Sequence, residues 1–356
     1  MTTLLRLRLR CRLRLRRLLS TAALATLATA ALASTPPASL AQTAAPATAP
    51  TAPATTPARP LPGVKHVLLI GLDGFGSYAW EKAAMPNLKT LAASGASTLK
   101  ARPIMPVISG PNWGAHLTGA GPESHGYLGN GAKPSLPPAV LSKYGRFPGI
   151  FGLVRDAYPN AETGAIYDWA RIHELIEDKA VTYERIVYQS RSSRRLPAHV
   201  SVGIYEESTA RTSVDAANYI ATKKPFFTFV YFGAPDETGH HIGHDTPAYY
   251  ATLKKCDDHI GQLLGALKTA GIEKETIVIV VSDHGGLGKG HGEGTMQGMQ
   301  TPWIIAGPGV KRGHTLVPGI VHYDTTPTIA HILGISPPPT FRGRPALDAF
   351  AAKNKN

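Results

Sequence analysis

Six side chains able to hold a metal ion occur in this sequence beside apolar runs: Asp73, Asp236 with His240, Asp283 with His284, and His291. A hydroxyl, Ser109, lies between the first and second groups. Mixed carboxylate and imidazole ligands suit zinc or manganese better than calcium, which prefers oxygen alone. Six protein ligands exceed what one tetrahedral zinc takes. Two divalent ions about 3.5 to 4 Å apart could clamp the attacking and leaving oxygens of an in-line displacement. A serine hydroxyl is a weak nucleophile at its free pKa, and metal coordination is one way to activate it near neutral pH without a separate base. The combination points to hydrolysis at phosphorus.

Such ligands are useful only if rigid elements aim them. Asp73 ends the run from His66 to Leu72, Asp236 follows Phe226 to Phe232, and Asp283 follows Thr276 to Ser282. Each run reads as a buried strand of a mainly parallel sheet. Ligands of open α/β sheets gather outside the carboxyl ends of the strands, so three distant stretches would converge there. Pro111, two residues after Ser109, marks a helix start whose free N–H groups would face an anion. A lone aspartate after a strand is ordinarily a turn residue, and a lone serine can be a helix cap. The ordered set of acids, imidazoles and hydroxyl is what favours chemistry. His125 and Asn112 read as structural supports, and His116, His241, His244, His314, His322 and His331 as packing, surface or supporting residues, with His241 and His244 near enough to His240 to replace it.

The strings Asp73-Gly74-Phe75, Met85-Pro86-Asn87-Leu88, Gly121-Pro122-Glu123-Ser124-His125-Gly126, Pro235-Asp236-Glu237-Thr238-Gly239-His240, Ser282-Asp283-His284-Gly285 and Gly290-His291-Gly292 resemble the nucleotide pyrophosphatase/phosphodiesterase branch of the alkaline phosphatase superfamily. The resemblance runs from about Lys65 to about Arg344. It implies a three-layer α/β/α sandwich with a mainly parallel central sheet and a small cap. It also implies one metal on Asp73, Asp283, His284 and the Ser109 oxygen, and a second on Asp236, His240 and His291. Ser109 takes the nucleophile position, where many members have threonine, and Asn130 matches the asparagine that hydrogen-bonds a phosphate oxygen. In eukaryotic relatives the last histidine comes further downstream than His291. The implied substrate is a small phosphate ester or nucleotide, with two zinc ions, or manganese, as cofactors.

Rival functions differ at identifiable residues. The sulfatases of this superfamily need Cys or Ser-x-Pro-x-Arg, and Trp113 stands here in place of the arginine. A phosphomonoesterase would use the same metals and nucleophile. A noncatalytic polyanion-binding protein would need neither. Trp113, Tyr127, Tyr167 and Trp169 are the candidates for an aromatic slot that grips a nucleobase.

Among the 356 residues, arginines at 6, 8, 10, 12, 14, 16 and 17 precede an apolar stretch from Leu18 to about Ala33. Residues 1–41 therefore read as an export signal, placing the protein in the periplasm or outside the cell. The apolar run is short for a permanent span once the signal is cut. The net charge is +13, and those seven arginines supply more than half of it, so the remainder is modestly basic for a nucleic-acid binder. No stable nucleic-acid complex is expected. Cys11 falls in the signal, leaving Cys256 without an intramolecular disulfide partner. Residues 42–62 are rich in alanine, proline and threonine, the composition of a disordered tether. Residues 63–350 form the expected catalytic domain. Within it, 131–225 should continue the sheet and supply a cap, with strands at Phe151 to Val154 and Gly164 to Tyr167, helices over Pro86 to Ser94 and Pro247 to Ala270, and a solvated basic loop at Arg191 to Arg195.

Overall fold

The structure, a computed structural model, describes residues 61–187, 196–317 and 319–351. The signal segment, nearly all of the predicted tether and the Arg191 to Arg195 loop lie outside the described residues. In chain order the regular elements are β1 (His66–Leu72), α1 (Pro86–Ser94), β2 (Ala96–Ala101), α2 (Ser109–Thr118), α3 (Pro122–His125), α4 (Ile150–Ala157), β3 (Thr163–Tyr167), α5 (Ile172–Leu175) and β4 (Tyr183–Ile186). There follow α6 (Ala198–Lys223), β5 (Phe227–Phe232), α7 (Ala234–His241), α8 (Pro247–Ala270), β6 (Thr276–Val281), β7 (Thr301–Ala306), β8 (His314–Thr315) and α9 (Thr325–Leu333).

The eight strands form one sheet in the order β4-β3-β5-β1-β6-β7-β2-β8. From β4 to β6 every neighbouring pair is parallel, and β7 runs antiparallel to both β6 and β2. The expected mainly parallel α/β sandwich is therefore the fold. Its three layers follow from alternation along the strands. Val67 and Leu69 of β1 join one core with Trp113 and Leu117 of α2, Phe151 and Val154 of α4 and Ile329 of α9. Leu68, Ile70 and Leu72 join the opposite core with Leu88 of α1, Ile220 of α6 and Leu253 of α8. Leu61 is buried in the first core, so the packed domain reaches into the last two residues of the predicted tether.

One sequence expectation fails locally. Phe151 to Val154 lies on helix α4, not on a strand. Four apolar residues carry no decisive period, and the helix wins because Ile150, Phe151 and Val154 face one core while the Glu177 carboxylate accepts from the first N–H groups, Gly149 at 3.0 Å and Gly152 at 2.6 Å. The rest of 131–225 includes β3 and β4, which extend the sheet, and α6, which packs along α8.

Candidate metal centre

Strands β5, β1 and β6 are consecutive neighbours and parallel, so their carboxyl ends open on the same edge. Asp73 leaves β1 there, with its N–H donating to Phe232 O at 3.0 Å. Gly74 follows at φ +68°, and a Cβ on it would stand 2.8 Å from Asp236 Cβ. Only glycine allows both the left-handed turn and this approach of two acidic segments. Gly74 N donates to Asp283 Oδ1 at 3.0 Å, which ties the first acid's turn to the third acid. Asp236 and His240 sit one turn apart on α7 rather than in an irregular turn, which puts them on one helix face.

Ser109 opens α2, with Ile108 as the preceding cap residue. Its Oγ lies 3.3 Å from His284 Nε2. Asn112 holds this helix start as expected: its amide donates to the carbonyls of Ile104, Pro106 and Ile108, and its Oδ1 accepts from Ile104 N and His322 Nδ1. Asn130 meets the same turn, its Oδ1 accepting from Gly110 N at 2.7 Å. A Cβ at Gly110 would stand 2.4 Å from Gly129 O, so the close approach of the Asn130 loop requires glycine.

All six predicted ligands come together, in two overlapping groups. Asp73, Asp283 and His284 form one, and Asp236, His284 and His291 the other. His240 joins the second group, with Nε2 3.1 Å from both Asp236 Oδ2 and His291 Nε2. A carbonyl oxygen can only accept, so the contacts of His240 Nδ1 with Lys289 O, His284 Nδ1 with Gly285 O and His291 Nδ1 with Val107 O assign the proton to Nδ1 in all three rings. Each Nε2 is thereby turned inward, as a metal ligand requires. Asp73 Oδ1, Asp236 Oδ1 and Asp283 Oδ2 are buried with no hydrogen-bond partner among the described residues. Leaving such groups unsatisfied costs about 1–3 kcal/mol each or more. Cations at this point would satisfy them, so the donor set fits divalent metals.

The electrostatics agree. Burial, then the charges of Asp283 and Asp236, push the Asp73 carboxyl well above the usual carboxylate range. Burial raises Asp283 to about 6, with His284 opposing and Asp236 adding. Burial also works against the Asp236 carboxylate, but the His240 hydrogen bond and the imidazoles of His284, His240 and His291 pull it below the usual range. The bond to Asp236 lifts His240 to about 9, whereas burial lowers His291 to about 4. Crowded carboxylates that resist ionisation together are what a dication would relieve.

Other histidines sort as follows. His244 is buried, with Nε2 3.6 Å from Asp236 Oδ1, and stands just outside both groups. His241 turns to Glu237 at 3.9 Å. His116 bonds Thr325 Oγ1 and Ser282 O, and stacks on His322 at 4.2 Å. His314 pairs with Asp348, and His125 packs beneath Gly114 of α2.

A cavity of about 650 Å³ opens beside the cluster, lined by Asp73, Ser109, Asn130, Asp236 and His240 and walled by Trp169, Arg171 and Tyr231. Of the four aromatic candidates only Trp169 lines it. Trp113 and Tyr167 are buried in the core, and Tyr127 borders a separate pocket.

The family profile described as type I phosphodiesterase / nucleotide pyrophosphatase matches residues 67–137 and 161–288, more than half of the chain. The chain belongs to that family. Mouse ectonucleotide pyrophosphatase/phosphodiesterase family member 1 is 25% identical over 238 residues, covering 61% of this chain and 24% of the relative. The chain thus matches about a quarter of that protein's length. Murine ectonucleotide pyrophosphatase/phosphodiesterase 5, solved as an inactive variant with AMP, shares the fold with a TM-score of 0.61 at 16% identity, covering 81% of this chain and all of that one. Choline-sulfatase from Rhizobium meliloti is 31% identical over 109 residues, covering 28% of this chain and 20% of that protein.

Sequence reasoning missed two partners of Asp73. Trp113 Nε1 donates to Asp73 Oδ2 at 2.9 Å, and the Tyr231 hydroxyl donates to the same oxygen at 2.5 Å. Trp113 lies one helical turn after Ser109, and Tyr231 on the face of β5 shared with Phe229, so their positions were visible but their common target was not.

Proposed function

We propose that this protein is an exported two-metal hydrolase of phosphate esters, a phosphodiesterase or nucleotide pyrophosphatase that works through a phosphoseryl intermediate on Ser109. The observation that carries this reading is the convergence of three inward-turned Nε2 atoms and three buried carboxylate oxygens without a hydrogen bond beside the Ser109 hydroxyl. Asp73, Asp283 and His284, with the Ser109 oxygen, would hold one divalent ion, and Asp236, His240 and His291 the other. Zinc is the favoured metal and manganese the alternative. When bound, these ions supply Lewis acidity that lowers the pKa of Ser109 and offsets charge on the phosphoryl oxygens.

Ser109 gives its proton to solvent, its Oγ attacks phosphorus in line, and the bond to the leaving oxygen breaks with its electron pair, that oxygen taking a proton from solvent where its basicity requires one. Water then cleaves the phosphoserine and restores the hydroxyl. Two inversions give net retention. The amide of Asn130, whose Oδ1 accepts from Gly110 N, would donate through its NH2 to a non-bridging oxygen. Trp169, at the cavity wall, favours a substituent with a planar face. The residues between Leu18 and Ala33, read as a cleaved signal, support export; among the described residues no helix is long and apolar enough to cross a membrane.

The test is kcat/KM of the zinc-loaded mature protein on bis-p-nitrophenyl phosphate and p-nitrophenyl phosphate, side by side. Preference for the diester supports this reading. Preference for the monoester makes the protein a phosphatase on the same site.

A further inference from the structure

The turn after β3 carries three side chains with different fates. Asp168 is buried, and its carboxylate accepts from Gly233 N at 2.8 Å and from the Thr209 hydroxyl. This fixes the turn to the residue that precedes α7. Trp169 stacks on Tyr231 with ring centroids 6.1 Å apart and planes 25° from parallel. Arg171 is exposed and lines the cavity that also holds Ser109 and Asp236. Because β3 neighbours β5 in the sheet, the turn arrives on the side of the metal cluster that carries Asp236 and His240.

Among the other arginines, Arg185 pairs with Asp215, Arg211 with Glu207, and Arg146 with Glu174 and Asp178, while Arg102 and Arg155 bond backbone carbonyls. Arg171 has no carboxylate within ion-pair distance among the described residues. Glu174 is held by Arg146 at 2.9 Å, and Glu237, which lines the same cavity, lies 3.9 Å from His241. On the wall of a cavity read as a phosphate-ester site, a guanidinium with no carboxylate in reach is available to a second anionic group. The cavity also exceeds what one phosphoryl group and two ions fill, and lies in the range of sites for nucleotide-sized ligands.

We propose that Arg171 is a specificity-determining residue that binds a second phosphoryl group on the leaving side of the substrate, so that the enzyme prefers phosphoanhydrides such as nucleoside triphosphates over esters with uncharged leaving arms. This rests on the hydrolase reading above. In the reaction it selects, Ser109 Oγ bonds the phosphorus next to the nucleoside and the P–O bond to the next phosphoryl breaks. The diphosphate departs with that electron pair, its charge met by Arg171, and water releases the nucleotide from Ser109.

The experiment compares thymidine triphosphate with p-nitrophenyl thymidine 5′-monophosphate, which share the transferred group and differ in the leaving one. In Arg171→Gln the ratio of kcat/KM for the triphosphate to that for the nitrophenyl ester should fall about 10- to 100-fold relative to wild type, and Arg171→Lys should restore part of it. Calorimetry in a zinc-loaded Ser109→Ala background should show inorganic pyrophosphate binding at least 10-fold more weakly once Arg171→Gln is added. An unchanged ratio, or unchanged pyrophosphate affinity, overturns the role of Arg171. Turnover of the nitrophenyl ester by wild type separates that failure from failure of the hydrolase reading, which would abolish turnover of both substrates and overturn the proposal with it.

Discussion

The indole of Trp113 donates to Asp73 Oδ2 at 2.9 Å from the position where a sulfatase of this superfamily needs arginine. With Tyr231 donating to the same oxygen, Oδ2 is saturated and Oδ1 faces the cluster without a hydrogen-bond partner. The residue that stands in place of the sulfatase arginine therefore orients a proposed metal ligand. Trp113→Phe keeps the ring and deletes the donor. We expect it to weaken zinc binding about 10- to 100-fold, measured by chelator competition, with a stability loss of roughly 1–2 kcal/mol in denaturant titration.

The two ligand groups predict a stoichiometry. Zinc-loaded protein should contain two ions per chain by elemental analysis, and the double variant His240→Ala/His291→Ala should retain one, on Asp73, Asp283 and His284. Chelation should also lower the melting temperature, because ions at 100 times their Kd contribute about 2.7 kcal/mol each to the folded state. An unaltered melting temperature after complete metal removal would count against the cluster as a binding site.

Ser109→Ala should lower kcat on a phosphodiester by about a thousandfold or more while both ions remain bound, since the hydroxyl is assigned as nucleophile. Wild-type hydrolysis of a chiral phosphorothioate diester should proceed with retention at phosphorus. Inversion would exclude the phosphoseryl route and leave direct attack by water.

Glu177, which lies outside the cluster of candidate metal ligands, is expected to give the fold a pH dependence of its own. Burial raises its carboxyl to about 7, against an ordinary value of 4.5, despite the bonds it accepts from Gly149 and Gly152. A folded pKa above the unfolded one means the folded state holds more protons between pH 4.5 and 7, so this contribution is full below pH 4.5 and is lost as pH rises through 7. Glu177→Gln should remove that dependence. Comparing zinc-loaded variant and wild type, the variant should gain relative stability of order 2–3 kcal/mol between pH 4.5 and pH 8. A difference that is flat with pH would refute the assignment.

The parts of this molecule legible in its sequence are those set by short-range patterns. β1, β5 and β6 announce themselves as apolar runs that end in acids, and neighbouring positions in the sheet then bring Asp73, Asp236 and Asp283 together. The Pro111 signal likewise places Ser109 at a helix start. What escaped depends on distance along the chain. Asp73 and Tyr231 are 158 residues apart, and no local pattern in β5 marks Tyr231 as a donor rather than core. The helix at Ile150–Ala157 carries no local sequence signal because its amino end is satisfied by Glu177, 25 residues beyond Gly152. Arg171 carries no motif, and its relevance rests on where the turn after β3 is pinned.

The carbonyls that fix the imidazole tautomers also couple the segments mechanically. His240 of α7 is held by Lys289, two residues before His291, and His291 is held by Val107, two residues before Ser109. Helix α7, the loop and the Ser109 turn are thus latched in series, each through a histidine of the cluster. A change of length between Lys289 and His291 would release the chain of latches at both ends, displacing α7 from one side and the serine from the other. The spacing of this loop is therefore set by the site, although it belongs to no strand or helix.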